Sequence, residues 1–156
     1  MPTIRYTYTS RASLEDVLDI HFGTSNVTEM APSYLGVRCN SDEAVLEGVL
    51  VNYRFRLGIL PFKCTIRFVG VDPDYGYTAI MYRGPLKRYE QHVGITLSKT
   101  GGVTVYHRII YSFKPGLRGW FLKAVLRRGL VRTILRASCS RMERILARAA
   151  VAKEKP

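Results

Sequence analysis

The sequence predicts an α+β fold, a curved antiparallel sheet of about seven strands wrapped around one long C-terminal helix, in the order β-α-α-β6-α. Three observations predict it. From Tyr34, apolar residues recur at every second position for about 80 residues, the period of half-buried strands. The gaps in that stretch are short turns, and short turns join antiparallel neighbours because parallel ones need long crossovers. After Lys114-Pro115-Gly116 the period lengthens to that of a helix, from about Leu117 to Ala150, roughly 50 Å at 1.5 Å per residue.

The elements follow in order. Ile4, Tyr6 and Tyr8 alternate with Arg5, Thr7 and Thr9, so the chain opens on a strand. Ser13 begins a helix, with Asp16 in a capping-box-like position and Leu14, Val17, Leu18 and Phe22 on its apolar side. Gly23 ends it, and Thr24 to Pro32 leaves room for one or two further helical turns. Strands are expected at 34–39, 43–57, 62–71, 76–83, 86–98 and 103–113. The turns between them are Asn40-Ser41-Asp42, Gly58-Ile59-Leu60-Pro61, Asp72-Pro73-Asp74-Tyr75, Gly84-Pro85 and Lys99-Thr100-Gly101-Gly102. The 156 residues read as one domain, without repeats or low-complexity tracts.

Alternation assigns an inner face to each strand. Over 43–57 it is Val45, Val49, Val51, Tyr53, Phe55 and Leu57, with Glu47 the one charge among them. Over 62–71 it is Phe62, Cys64, Ile66 and Phe68. Over 86–98 it is Tyr89, Gln91, Val93, Ile95 and Leu97, and over 103–113 Val103, Val105, His107, Ile109, Tyr111 and Phe113. In 76–83, Tyr77, Ala79 and Met81 compete with Ile80 and Tyr82. Tyr53, Tyr89, Gln91, His107 and Tyr111 put polar atoms on otherwise apolar faces. Buried polar atoms need partners, and a ligand or cavity water is one source.

On a single helix from Leu117, successive residues advance by about 100°. Leu117, Phe121, Ala124, Val131, Leu135, Cys139, Met142, Leu146 and Ala149 then share one apolar stripe, flanked by arginines. Leu122, Leu126 and Leu130 form a second stripe on the far side, the mark of a partner, a membrane or a covering segment. Arg128 falls in the middle of the main stripe. A guanidinium there must snorkel, pair with a carboxylate such as Glu47, or meet an anionic or carbonyl group of a ligand, unless Gly129 kinks the helix and rotates it out.

The net charge of +12 is uneven. From Lys114 onward there are 12 Lys and Arg against two acids, a net of +10. A face of that sign suits an anionic membrane, nucleic acid or an acidic partner, or is simply a solvated helix face. No run approaches the roughly 18 apolar residues of a membrane span. The N-terminus lacks the apolar stretch of a signal peptide, and three spaced cysteines (Cys39, Cys64, Cys139) make no disulfide framework. A cytoplasmic protein is expected, with peripheral contact at the inner membrane face as an extension of that reading.

Catalytic signatures are missing from the sequence: no P-loop, no dinucleotide glycine fingerprint, no GxSxG elbow. His21, His92 and His107 fall on separate elements without metal-ligand spacing, so neither metal nor cofactor is expected.

Gly84-Pro85 leading to Tyr89-Glu90-Gln91-His92, then Gly101-Gly102, Val105 to Tyr111 and the Lys114-Pro115-Gly116 break before an Arg-rich helix carry a resemblance. From Ile4 to about Ala149 the chain resembles the START-like, or SRPBCC, superfamily of helix-grip proteins. Within it the chain is most similar to the polyketide cyclase/dehydrase-like group and to the group that resembles the G-type subunits of carbon monoxide dehydrogenase. The resemblance implies a cavity between sheet and C-terminal helix for an apolar or amphipathic molecule such as a lipid, quinone or polyketide. It transfers no catalytic residue, since the superfamily has no shared catalytic motif.

Candidate lining residues are Tyr53, Phe55, Phe62, Ile66, Phe68, Met81, Tyr89, Gln91, Val93, His107, Ile109 and Tyr111 from the sheet, with Phe121 and Arg128 from the helix. Binding or carriage of a hydrophobic small molecule is the leading expectation. A cyclase- or dehydratase-type enzyme in the same cavity is the alternative, with His107, Tyr89 or Tyr111 as acid–base groups and Arg128 as oxyanion partner. A third class is peripheral membrane contact through the basic helix, where Trp120, Leu122 and Leu126 lie near Arg118 and Lys123. Nucleic acid ranks last, because no aromatic stacking platform accompanies the basic residues.

Overall fold

A computed structural model describes residues 2–41, 43–98, 101–126 and 128–153. The chain runs β1 (Thr3–Ser10), α1 (Leu14–Phe22), α2 (Asn26–Met30), a 3-10 turn (Ser33–Leu35), β2 (Arg38–Cys39), β3 (Leu50–Leu57), β4 (Leu60–Asp72), β5 (Gly76–Arg83), β6 (Leu86–Leu97), β7 (Val103–Phe113), α3 (Leu117–Val125) and α4 (Arg128–Lys153). All seven strands form one antiparallel sheet in the order β1-β7-β6-β5-β4-β3-β2. Hairpins β3 to β7 follow chain order, and β1 closes on the far side of β7.

Sheet curvature has local causes. The 13-residue β4 pairs with β5 through register shifts at Thr65/Ile66 and Val69/Asp72. Such bulges bend a strand and increase its twist. Gly70, at φ 57°, takes the backbone shape that the second irregularity demands.

Ser13 caps α1, its hydroxyl accepting from the Asp16 N–H at 3.2 Å. Beyond Gly23, the Thr24 hydroxyl donates to Glu43 O and lies 3.1 Å from Ser41 O, which ties that segment to the end of α1. That docking shortens the expected strand 43–57. Val45 N–H donates to Phe22 O, Gly48 turns at φ 80°, and regular pairing with β4 begins only at Leu50. Glu47 therefore leaves the inner face. It is exposed, and its carboxylate accepts from Val71 N–H at 2.9 Å. The expected strand 34–39 also contracts to Arg38–Cys39, because a 3-10 turn closes on left-handed Gly36.

The sequence-predicted helix 117–150 is two helices. α3 ends at Val125 and is capped by Leu126 (φ −85°, ψ 51°), whose N–H still bonds Leu122 O, and α4 starts at Arg128. The break comes ahead of Gly129, at which a kink was one alternative. One continuous helical wheel does not describe both helices. Leu122 is therefore buried, while Leu117, Trp120 and Phe121 face out. The stripe Leu135, Cys139, Met142 and Leu146 in α4 is buried as expected.

α4 lies against β1, α1 and α2. There Leu135, Cys139, Met142 and Leu146 join Ile4, Tyr8, Val17, Val93, Ile95, Val103, Val105, Ile109 and Tyr111 in one core. A second core of Val45, Val51, Tyr53, Cys64, Ile66, Phe68 and Ala79 lies on β3 to β5 and includes no residue of α4. Phe22, Tyr77 and Tyr89 touch both cores. Because the long helix packs at one side of the sheet, the concave face of β3 to β5 is left to form one wall of a space.

Candidate functional site

That space is a cavity of about 340 Å³ between the sheet, α2, the 3-10 turn and the two C-terminal helices. Its sheet wall follows from register. Phe68, Ala79, Gln91, Ile109 and Ile4 are cross-strand partners in a row over five strands, and the first four of them line the cavity. A neighbouring row, Val51, Ile66 and Met81, contributes its last two members. In β5 the ambiguity resolves to Tyr77, Ala79 and Met81 inward, with Tyr82 exposed.

Ten of the sequence-predicted residues line the cavity: Tyr53, Phe55, Ile66, Phe68, Met81, Tyr89, Gln91, His107, Ile109 and Tyr111. Of the other four candidates, three are placed elsewhere and one is not described. Phe62 is half-buried and stacks on Phe55, ring centroids 5.5 Å apart, at the rim. Val93 points inward but is sealed into the α4-side core. Phe121 is turned outward by the helix break, and Leu122 and Leu126 of the supposed far stripe line the cavity instead. Arg128 opens α4, and its side chain lies outside the described residues. Leu97, assigned inward, is exposed near the end of β6.

Sequence reasoning missed His21 and Tyr8. His21 lines the cavity and is buried on α1, four residues after buried Val17, so the helical period would have placed it inward. Tyr8 sits on the buried side of β1 with Ile4.

Tyr89, Gln91 and His107 form one hydrogen-bonded arm in the lining, and the Tyr53 O–H donates separately to Thr24 O at 3.4 Å. Tyr89 O–H donates to Gln91 Oε1 at 2.5 Å, and Gln91 Nε2 lies 3.2 Å from His107 Nδ1. The amide can only donate through Nε2, so Nδ1 accepts and the His107 proton sits on Nε2. The His107 ring is 5.7 Å from that of His21, whose Nε2 meets Tyr8 O–H at 3.0 Å. Among the described residues, His107 Nε2 is buried without a hydrogen-bond partner.

Electrostatics follow from burial. Desolvation holds His21 down to about 3, helped by the neighbouring His107, and holds His107 down to about 4. Both imidazoles are neutral at neutral pH. Burial also raises the phenols of Tyr8, Tyr53, Tyr77 and Tyr89, and pushes the Cys64 and Cys139 thiols up to about 11 and about 12. No group of three or more His, Cys, Asp or Glu suited to a metal ion gathers among the described residues. The site is a mostly apolar chamber with one uncharged polar arm.

No family model matches this sequence, and no curated protein does. Solved structures do. TTHA0849 of Thermus thermophilus aligns over 95% of this chain and 99% of its own, with TM-score 0.72 and 13% identity. Ginseng major latex-like protein 151 of Panax ginseng aligns over 91% and 95%, with TM-score 0.65 and 16% identity. A Thalictrum norcoclaurine synthase point mutant, solved with a transition-state analogue, aligns over 96% of each chain, with TM-score 0.68 and 14% identity. At these identities the likeness is one of fold. What they share with this chain is the helix-grip arrangement, here a seven-stranded antiparallel sheet with a long C-terminal helix.

Proposed function

We propose that the chain binds and carries an apolar or amphipathic small molecule in the cavity between sheet and C-terminal helices. One observation carries the reading: a chamber of about 340 Å³ with an almost wholly apolar lining, interrupted by the Tyr89–Gln91–His107 arm. Ligand sites commonly have this size and this balance, with apolar walls for affinity and a few placed polar groups for orientation. The arm is neutral, so it suits a hydroxyl, carbonyl or phenol on an otherwise apolar body better than a carboxylate or phosphate.

The same electrostatics weigh against a cyclase or dehydratase acting through these residues. A general acid or base works best with a pKa near the operating pH, and burial moves the histidines well below it and Tyr89 well above.

Organic extraction of freshly purified protein, followed by mass spectrometry, tests the reading. A stoichiometric apolar or amphipathic molecule supports it and names the ligand class. An empty extract, from protein that also binds no apolar fluorophore, overturns it.

A further inference from the structure

The hairpin end of the sheet has a composition unlike the rest of the surface. Four segments build it: 33–38 through the 3-10 turn, 54–63 around the β3–β4 turn, 82–88 around the β5–β6 turn, and 113–126 into and along α3. Together they hold ten Lys and Arg and no Asp or Glu. The opposite end carries Glu43, Glu47, Asp72 and Asp74.

The same positive end presents the two most exposed of the large apolar side chains. Ile59 at the β3–β4 turn is 93% exposed and Leu117 88%, with Trp120 at 70%. Phe121, next to Trp120 in α3, and Tyr34, in the 3-10 turn, are also exposed. α3 is consequently apolar on both sides, with Leu122 and Leu126 toward the cavity and Leu117 and Trp120 toward solvent. Lys114 pins its start by donating to Gly84 O at 2.8 Å. Around this rim, Leu57, Pro85, Leu86, Leu122 and Leu126 continue inward as cavity lining.

We propose that this end docks on the surface of a bilayer containing anionic lipid, with Ile59, Leu117 and Trp120 entering the interface and the basic residues facing headgroups. Apolar insertion and attraction to anionic lipid add at such a surface, and an exposed tryptophan belongs at the headgroup boundary. A purely electrostatic partner explains the lysines and arginines but leaves the aliphatic tips in water. The surface extends the carrier reading, because it sets the cavity rim against the phase that holds apolar ligands. The two remain separable, since the docking side chains do not line the cavity.

Trp120 is the only tryptophan, so its emission reports insertion directly. The probe is a vesicle of phosphatidylcholine with about 30% phosphatidylglycerol, compared with pure phosphatidylcholine. Expected are a blue shift of Trp120 emission, co-flotation about tenfold stronger on the anionic vesicles, and weakening in high salt. Ile59→Glu with Leu117→Glu should lose flotation, and Lys87→Glu with Lys123→Glu should reduce it, all with unchanged melting and unchanged binding of an apolar fluorophore. No blue shift and no flotation at low salt would overturn the proposal, as would flotation unaffected by either pair. A dimer abolished by the Ile59/Leu117 pair, without vesicle binding, would assign the patch to a second copy. Retention on RNA without vesicle binding would also overturn it. Vesicle binding by a protein that takes up no apolar fluorophore would leave docking standing and remove the carrier reading.

Discussion

His107 and His21 pack ring to ring in the interior, and their burial predicts a fold that loses stability in mild acid. Unfolded, each binds a proton with an ordinary pKa of about 6.5; folded, neither does until about 4 and about 3. Between those values the unfolded chain holds more protons, so stability is full above pH 6.5 and falls as pH drops below it. Each histidine should cost about 2 kcal/mol by pH 5. Urea unfolding at steps between pH 7 and pH 5 checks this, and His107→Gln should roughly halve the loss. An equal loss in the variant would remove His107 from the account. Cys64 and Cys139 give a second test at this scale. With thiols pushed up to about 11 and about 12 and buried, both should resist alkylation in the native protein and react on unfolding.

Among the elements, the strands were the most legible part. Alternation located β5 and β7 at their observed limits, and because register follows alternation it also placed Tyr53, Gln91 and His107 on the inner face. The segment 43–49 alternates equally well. Its ladder is lost to Thr24, which holds the neighbouring carbonyls against α1 from about 20 residues away in sequence. The end of α3 at Val125 was illegible for another reason. Leu126-Arg127 contains no proline or glycine, so the period was carried through it, and Leu122 and Phe121 exchanged faces. The proximity of His21 and His107 depends on tertiary packing that no spacing reveals. Two substitutions test the helical elements. An added Cβ at Gly119 would lie 1.6 Å from Lys114 O, so Gly119→Ala should loosen α3 from the end of β7 and alter Trp120 emission. Leu146, fully buried in α4 against β1, should cost about 2–5 kcal/mol when cut to Ala, read by denaturant midpoint.

At the scale of the whole molecule, position of the long helix, distribution of charge and cavity are linked. α4 fills one side of the concave sheet, and the other side stays open beneath α3 and the 3-10 turn. The rim of that opening is basic and apolar, and the far end is acidic. No helix among the described residues is long and apolar enough to cross a membrane. Ala79 sits in the middle of the sheet wall, buried and lining the cavity between Phe68 and Gln91. Ala79→Leu would place three more carbons into the space without adding a polar atom. The most direct measurement is therefore a titration of an apolar fluorophore into the wild-type chain and into Ala79→Leu, with melting recorded for both. Saturable binding at one site per chain is expected, weakened at least about tenfold by the larger side chain while the fold is retained. Saturable binding of equal strength to both proteins would put the ligand elsewhere and contradict the cavity as the site.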